Sequence, residues 1–200
     1  MTIRIGDWLG EAWELIRQDF WIHVLVALIF SAVAATQLGW LIVGPLTCSY
    51  QYMIIRKLTQ PHQGLPLNDL GKGFDVFLDA FVAWLLIGAF GTLGLVACLV
   101  GAIVVSGLLF FTLPLVIDRR MGFWDAITTS YNRTKSNWLG MTWLVIVLGL
   151  MVIGLTALTG GLGYFVAFPL QTVATVLAYR DNFGLARSEG PPAPAPPYPA

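Results

Sequence analysis

The chain has 200 residues, 57% of them hydrophobic and only 11% charged, with a mean hydropathy of +0.76. Soluble domains carry about 25% charged residues; a single soluble core has nowhere to put this much apolar surface, whereas a bilayer does. The formal net charge is zero, which gives no general attraction to nucleic acid, and the two cysteines, Cys48 and Cys98, sit in apolar stretches with neither a disulfide framework nor a metal spacing.

In chain order, residues 6–19 read as an amphipathic helix. Asp7 is placed to cap it, Leu9, Ala12, Trp13 and Ile16 recur at helical spacing, and Glu11, Glu14 and Gln18 fall on another face. Trp8, Trp13 and Trp21 suit a headgroup zone, where an indole keeps its N–H wet and its ring buried. A plainer role is a helix that only orients the first span. Ala32-Val33-Ala34 resembles a signal cleavage site, but Asp7, Glu11, Glu14 and Asp19 precede it, and a signal needs a positive start.

Three runs contain no Asp, Glu, Lys or Arg: Phe20 to Ile55, Ala80 to Ile117 and Trp138 to Tyr179, of 36, 38 and 42 residues. One helix of that length extends roughly 54 Å, against a hydrocarbon core about 30 Å thick, so each run reads as two spans and a turn. Thr36-Gln37-Leu38-Gly39 breaks the first run and Thr159 to Gly163 the third. The middle run lacks a polar break, and its turn is placed between Cys98 and Gly107. The predicted spans are 20–36, 38–56, 78–98, 101–117, 138–157 and 162–180.

Residues 122–137 read as a second interfacial helix. Trp124, Ile127, Tyr131 and Thr134 line one side, Asp125 lies near its start and Arg133 and Lys135 near its end, as the helix dipole favours, before Trp138. The tail 188–200 is proline-rich and predicted to be disordered.

All eleven basic residues lie outside the apolar runs, so three hairpins put every one of them on a single side. The positive-inside rule makes that side, with both termini, cytoplasmic. A repeat is also visible. Gly6-Asp7-Trp8 parallels Gly122-Phe123-Trp124, Pro45-Leu46 matches Pro169-Leu170, and Arg56 and Arg180 each follow the proline by eleven residues. Pro114-Leu115 is a candidate third copy. The three prolines are expected to kink their helices, with Thr47 and Gln171 placed to help satisfy freed carbonyls. Gly88, Gly91, Gly94, Ala97 and Gly101 form a stripe of small residues suited to close helix contact, in this chain or with another subunit.

Trp124-Asp125-Ala126, Ser130, Asn137-Trp138, Gly163, Pro169-Leu170 and Tyr179-Arg180, with Gly44-Pro45-Leu46, resemble a bacterial family. It is the membrane domain fused to some glycerophosphodiester phosphodiesterases and also found in standalone multi-spanning proteins. The resemblance covers roughly residues 5–182 and implies a six-helix protein of the bacterial inner membrane. It carries over no catalysis, because the soluble phosphodiesterase part has no counterpart here.

His23 and His62 have no acidic metal-ligand cluster beside them, and Gly71-Lys72-Gly73 lacks the residues of a phosphate loop. His23, Gln37, Gln51 and Gln171 are the strongly polar residues within the runs, read as interfacial or interhelical groups, or as the lining of a polar cavity. The expectation is therefore an all-α integral membrane protein with six transmembrane helices in three hairpins and two cytoplasmic amphipathic interfacial helices. No catalytic residue, metal or cofactor is expected. Its partners are membrane lipids and other membrane proteins, met at a rim of Trp8, Trp13, Trp124, Arg133, Lys135 and Trp138. It is read as a structural or accessory subunit, or as a lipid- or partner-binding module. The alternative is a transporter or channel for a hydrophobic or lipid-like solute. Reporter fusions at the N-terminus, near residues 65 and 128, and at the C-terminus should all report cytoplasm; one periplasmic signal would overturn the six-span topology.

Overall fold

The computed structural model describes residues 3–36, 39–60, 64–97 and 99–186. The turn residues Gln37 and Leu38, His62, Cys98, the side chain of Ala97, Arg187 and the tail lie outside the described residues. Nine α-helices are described: α1 (Ile5–Gln18), α2 (Phe20–Ala34), α3 (Gly39–Thr59), α4 (Phe77–Ala97), α5 (Leu99–Leu108), α6 (Thr112–Arg119), α7 (Phe123–Thr134), α8 (Trp138–Leu158) and α9 (Tyr164–Phe183). A 3-10 segment, Leu67–Val76, leads into α4, and a shorter one, Lys135–Asn137, joins α7 to α8. No strand occurs among the described residues.

Three helical stretches are long and apolar enough to cross a membrane: Leu67–Leu95, Val100–Arg119 and Phe123–Leu158. A fourth is reached if α1 and α2, bent by 98° at Asp19, count as one broken span. Helices α3 and α9 do not qualify, for a physical reason. They are the polar, inner helices of the bundle. Ser49, Gln51, Lys57, Thr172, Thr175 and Asn182 all lie on them and are buried. The outer helices have the reverse character. Among the described side chains of α4 only Ala80 and Ala83 are fully covered, while Leu78, Leu85, Leu93 and Leu95 are exposed. On α8 a stripe of Met141, Leu144 and Leu148 is buried, and Trp143, Leu150 and Ile153 face outward.

The packing order is cyclic. Helices α1 and α2 pack on α9; the segment Leu67–Val76 and α4 pack on α3; α7 packs on α6 and α8 on α5. The helices bearing Pro45, Pro114 and Pro169 are thus each covered by the elements of a neighbouring stretch, and all three prolines are buried. Pro45 and Pro169 lie inside α3 and α9. Pro114 is instead the third residue of α6, just after a break at Leu109–Phe111, where its missing N–H costs nothing. The predicted span 101–117 thus falls within the candidate span Val100–Arg119, interrupted at Leu109–Phe111 between α5 and α6. Thr47 Oγ1 donates to the Val43 carbonyl at 2.7 Å and not to that of Leu41, the one Pro45 frees.

Glycines set the close approaches. Gly94 and Gly101 meet each other across the α4–α5 hairpin, where a Cβ on Gly94 would lie 2.8 Å from the Ala102 amide nitrogen. That turn falls at the very start of the window given by the sequence, since α4 ends at Ala97 and α5 begins at Leu99. Gly88 and Gly91 meet nothing within 4 Å. Gly160 and Gly161 hold positive φ of 63° and 104° in the α8–α9 turn, a conformation that favours glycine. Gly73 is the tightest contact. Its N–H donates to Ser49 Oγ at 2.9 Å, and a Cβ there would run into the Pro45 carbonyl oxygen and lie 2.6 Å from the Ser49 nitrogen. Because the obstacle is helical backbone, Gly73→Ala should cost about 1–3 kcal/mol of stability. Gly71→Ala, with open space around it, should be near neutral; thermal unfolding in detergent compares the two.

Candidate functional site

The polar side chains of the described chain converge on the last turn of α9. A helix leaves its final four carbonyls without intrahelical donors and carries partial negative charge there. Helices α6 and α7 donate to two of those carbonyls, and α1 with the preceding Arg4 pairs with the side chains of Arg180 and Asp181. The Trp8 indole Nε1 of α1 and Arg4 just before it each donate to Asp181 Oδ2 at 2.9 Å, and Glu11 accepts both guanidinium arms of Arg180, one of them at 2.9 Å. From α6, Arg119 donates to the Phe183 carbonyl at 2.7 Å, and Asp118 Oδ2 accepts from the Tyr179 hydroxyl at 2.8 Å and from the Ala186 amide at 3.0 Å. From α7, Arg133 donates to the Asn182 carbonyl at 2.8 Å, its guanidinium 5.8 Å from the centre of the Phe183 ring. Asp181 lies one residue past the last predicted span. Desolvation pushes its carboxyl pKa up, but the hydrogen bonds from Trp8, Arg4 and Arg180 outweigh that, and it ends below its ordinary value.

The predicted rim is divided by this arrangement. Trp8 is 1% exposed, so it belongs to the interior and not to a headgroup rim; the buried stripe of α1 is Trp8, Ala12 and Ile16, turned toward α9. Arg133 is committed to the end of α9. Trp13, Trp124 and Trp138 are 41%, 56% and 46% exposed, and Lys135 is exposed. What remains of the rim is thus indole surface and a single lysine.

A second polar group lies where α2 meets α3, and of its members the sequence singled out only His23. Lys57, counted only as a topological charge, is buried and paired with Asp19 at the α1–α2 bend. His23 is buried beside it, with Nδ1 2.6 Å from the Tyr50 hydroxyl. The Tyr50 ring stacks on Phe168 of α9 at 6.0 Å. On α3, Arg56 pairs with Asp69 at 2.5 Å, tying the 3-10 segment to that helix. No local pattern announced these pairs, since their members lie far apart in the chain.

Among the described residues no group of three His, Cys, Asp or Glu side chains is placed to hold a metal ion. Each charged group gathered at the end of α9 faces a partner. Comparison with family models, with curated proteins and with solved structures finds no match. The arrangement speaks for holding the helices in register. Trp8→Ala, which empties a buried site and removes the donor to Asp181, should cost about 3–5 kcal/mol. Trp8→Phe should cost less, about 1.5–3 kcal/mol for the hydrogen bond lost to a carboxylate. Both are measurable by unfolding in detergent.

Proposed function

We propose that this chain is a six-span, non-enzymatic protein of the bacterial inner membrane, with both termini cytoplasmic, working as an accessory or lipid- and partner-binding module. The observation that carries the reading is the inversion of the bundle: polar helices α3 and α9 inside, apolar side chains outside, and charges gathered into internal pairs. On this reading α2, α3 and α9 are spans as well, shielded by their neighbours, and this is why composition alone passes them over. The cyclic packing supports a repeat of surface element, span and proline-bearing span, with Pro114 marking a divergent middle copy. The resemblance to the membrane domain of glycerophosphodiester phosphodiesterases is compatible with this proposal and adds no activity to it.

Trp13, Trp124 and Trp138 present exposed indoles of the kind that favours a membrane interface, and they form the surviving part of the rim. A transporter or channel for an apolar solute is the second reading, and buried Gln51 and Thr112, each with an oxygen lacking a partner, are what it would build on. The chain should stay in the membrane pellet through alkaline extraction and copurify with phospholipid in mild detergent. Proteoliposomes containing it should show no more flux of hydrophobic solutes or lipid analogues than empty ones. Saturable, protein-dependent flux would replace the accessory reading by the transporter.

A further inference from the structure

A groove of about 390 Å³ runs between α4, α5 and α7. Its walls are Phe90, Leu93, Val105, Leu108, Ile127 and Tyr131, and they are almost wholly apolar. Gly94 lines it too and lets the α4 backbone lie against α5, where a Cβ would come within 2.8 Å of the Ala102 nitrogen. The volume is that of a pocket for one small molecule, about 300–1,000 Å³.

The charge at the margin of this groove differs from the charge elsewhere. Among the described basic residues, Arg4, Arg17, Arg56, Lys57, Lys72, Arg120 and Arg180 each face a carboxylate. Arg119 and Arg133 are committed to the last carbonyls of α9. Lys135 has neither kind of partner. Its ammonium donates to the neutral Asn132 Oδ1 at 2.9 Å and lies 5.6 Å from the centre of the Tyr131 ring, which is itself a wall of the groove. No carboxylate lines the groove.

An apolar slot with one uncompensated, exposed cation at its margin complements a molecule with a hydrocarbon chain and an anionic head. We propose that this groove holds an acyl chain of an anionic phospholipid, with Lys135 meeting the phosphate and Tyr131 flanking it. The assignment rests on the membrane reading above and adds to it a ligand class and a place. Lys135 is long enough to lay its stem along the apolar wall while its ammonium reaches a headgroup.

Native mass spectrometry of the full chain in mild detergent, titrated with phosphatidylglycerol and phosphatidylcholine of matched acyl chains, tests it. Wild type should prefer phosphatidylglycerol by about fivefold, the factor for ~1 kcal/mol per basic residue at an anionic surface. Lys135→Gln should bring the two lipids to near parity, while Lys72→Gln, an equal loss of charge elsewhere, should leave the preference intact. Thr128→Trp, which fills the groove, should lose both lipids. Lys135→Gln decides the matter even if Thr128→Trp does not fold, because exposed Lys135 ties no second element in place. Equal binding of the two lipids by wild type, or an unchanged preference in Lys135→Gln, would overturn the proposal. So would a Thr128→Cys variant that cross-links efficiently to a second copy, since the groove would then be a self-contact. Alkaline extraction separates the two levels. A chain that leaves the membrane sinks the membrane reading itself, whereas a retained chain without lipid preference sinks only the groove.

Discussion

The carbonyl end of α9 is the point on which the described helices depend. Its orphaned acceptors draw an arginine from α6 and another from α7, and the adjoining Arg180 and Asp181 are gripped by Glu11 and Trp8 of α1 and by Arg4 just before it. The N-terminal helix is thereby fixed to the end of the chain's last helix, and the 98° bend after Gln18 follows, because α2 must turn away to run along α9. Charges that a positive-inside count treats as free labels are here hydrogen-bond donors with assigned acceptors.

The same logic orders the interior. Apolar surroundings penalise an unpaired polar group heavily, so the helices rich in hydroxyls, amides and charge are the ones wrapped by others. Lys57 reaches Asp19, His23 reaches Tyr50, and Ser49 accepts from the backbone of Gly73. The helices left outside need only be apolar, and α4 and α8 are. Hydropathy therefore passes over α3 and α9, which are the centre of the bundle.

Backbone proximity explains glycines that motif reading does not. Gly73 stands in a sequence that superficially invites a phosphate loop, yet its lack of a side chain is what lets the 3-10 segment lie on α3 at Pro45 and Ser49. Of the small-residue stripe, Gly94 and Gly101 serve the hairpin, while a Cβ on Gly88 or Gly91 would meet nothing within 4 Å among the described residues. Equal spacing on a helix gave no sign of that division, which depends on where α5 folds back.

By itself the sequence determined the all-helical class, the three charge-free runs, and most helix limits, because apolar periodicity, charge placement and glycine turns act locally. The α8–α9 turn and the start of α7 belong to that set. Only the tertiary structure decided that Trp8 is interior while Trp13 is not, that Pro114 opens a helix where Pro45 and Pro169 lie within one, and that Arg133 is spent on α9 while Lys135 stands uncompensated beside an apolar groove. Each of those outcomes turns on a partner distant in the chain, such as Asp181 for Trp8 or Asn182 for Arg133. A helical pattern names the face a residue occupies, but which helix comes to cover that face is set only when the bundle closes.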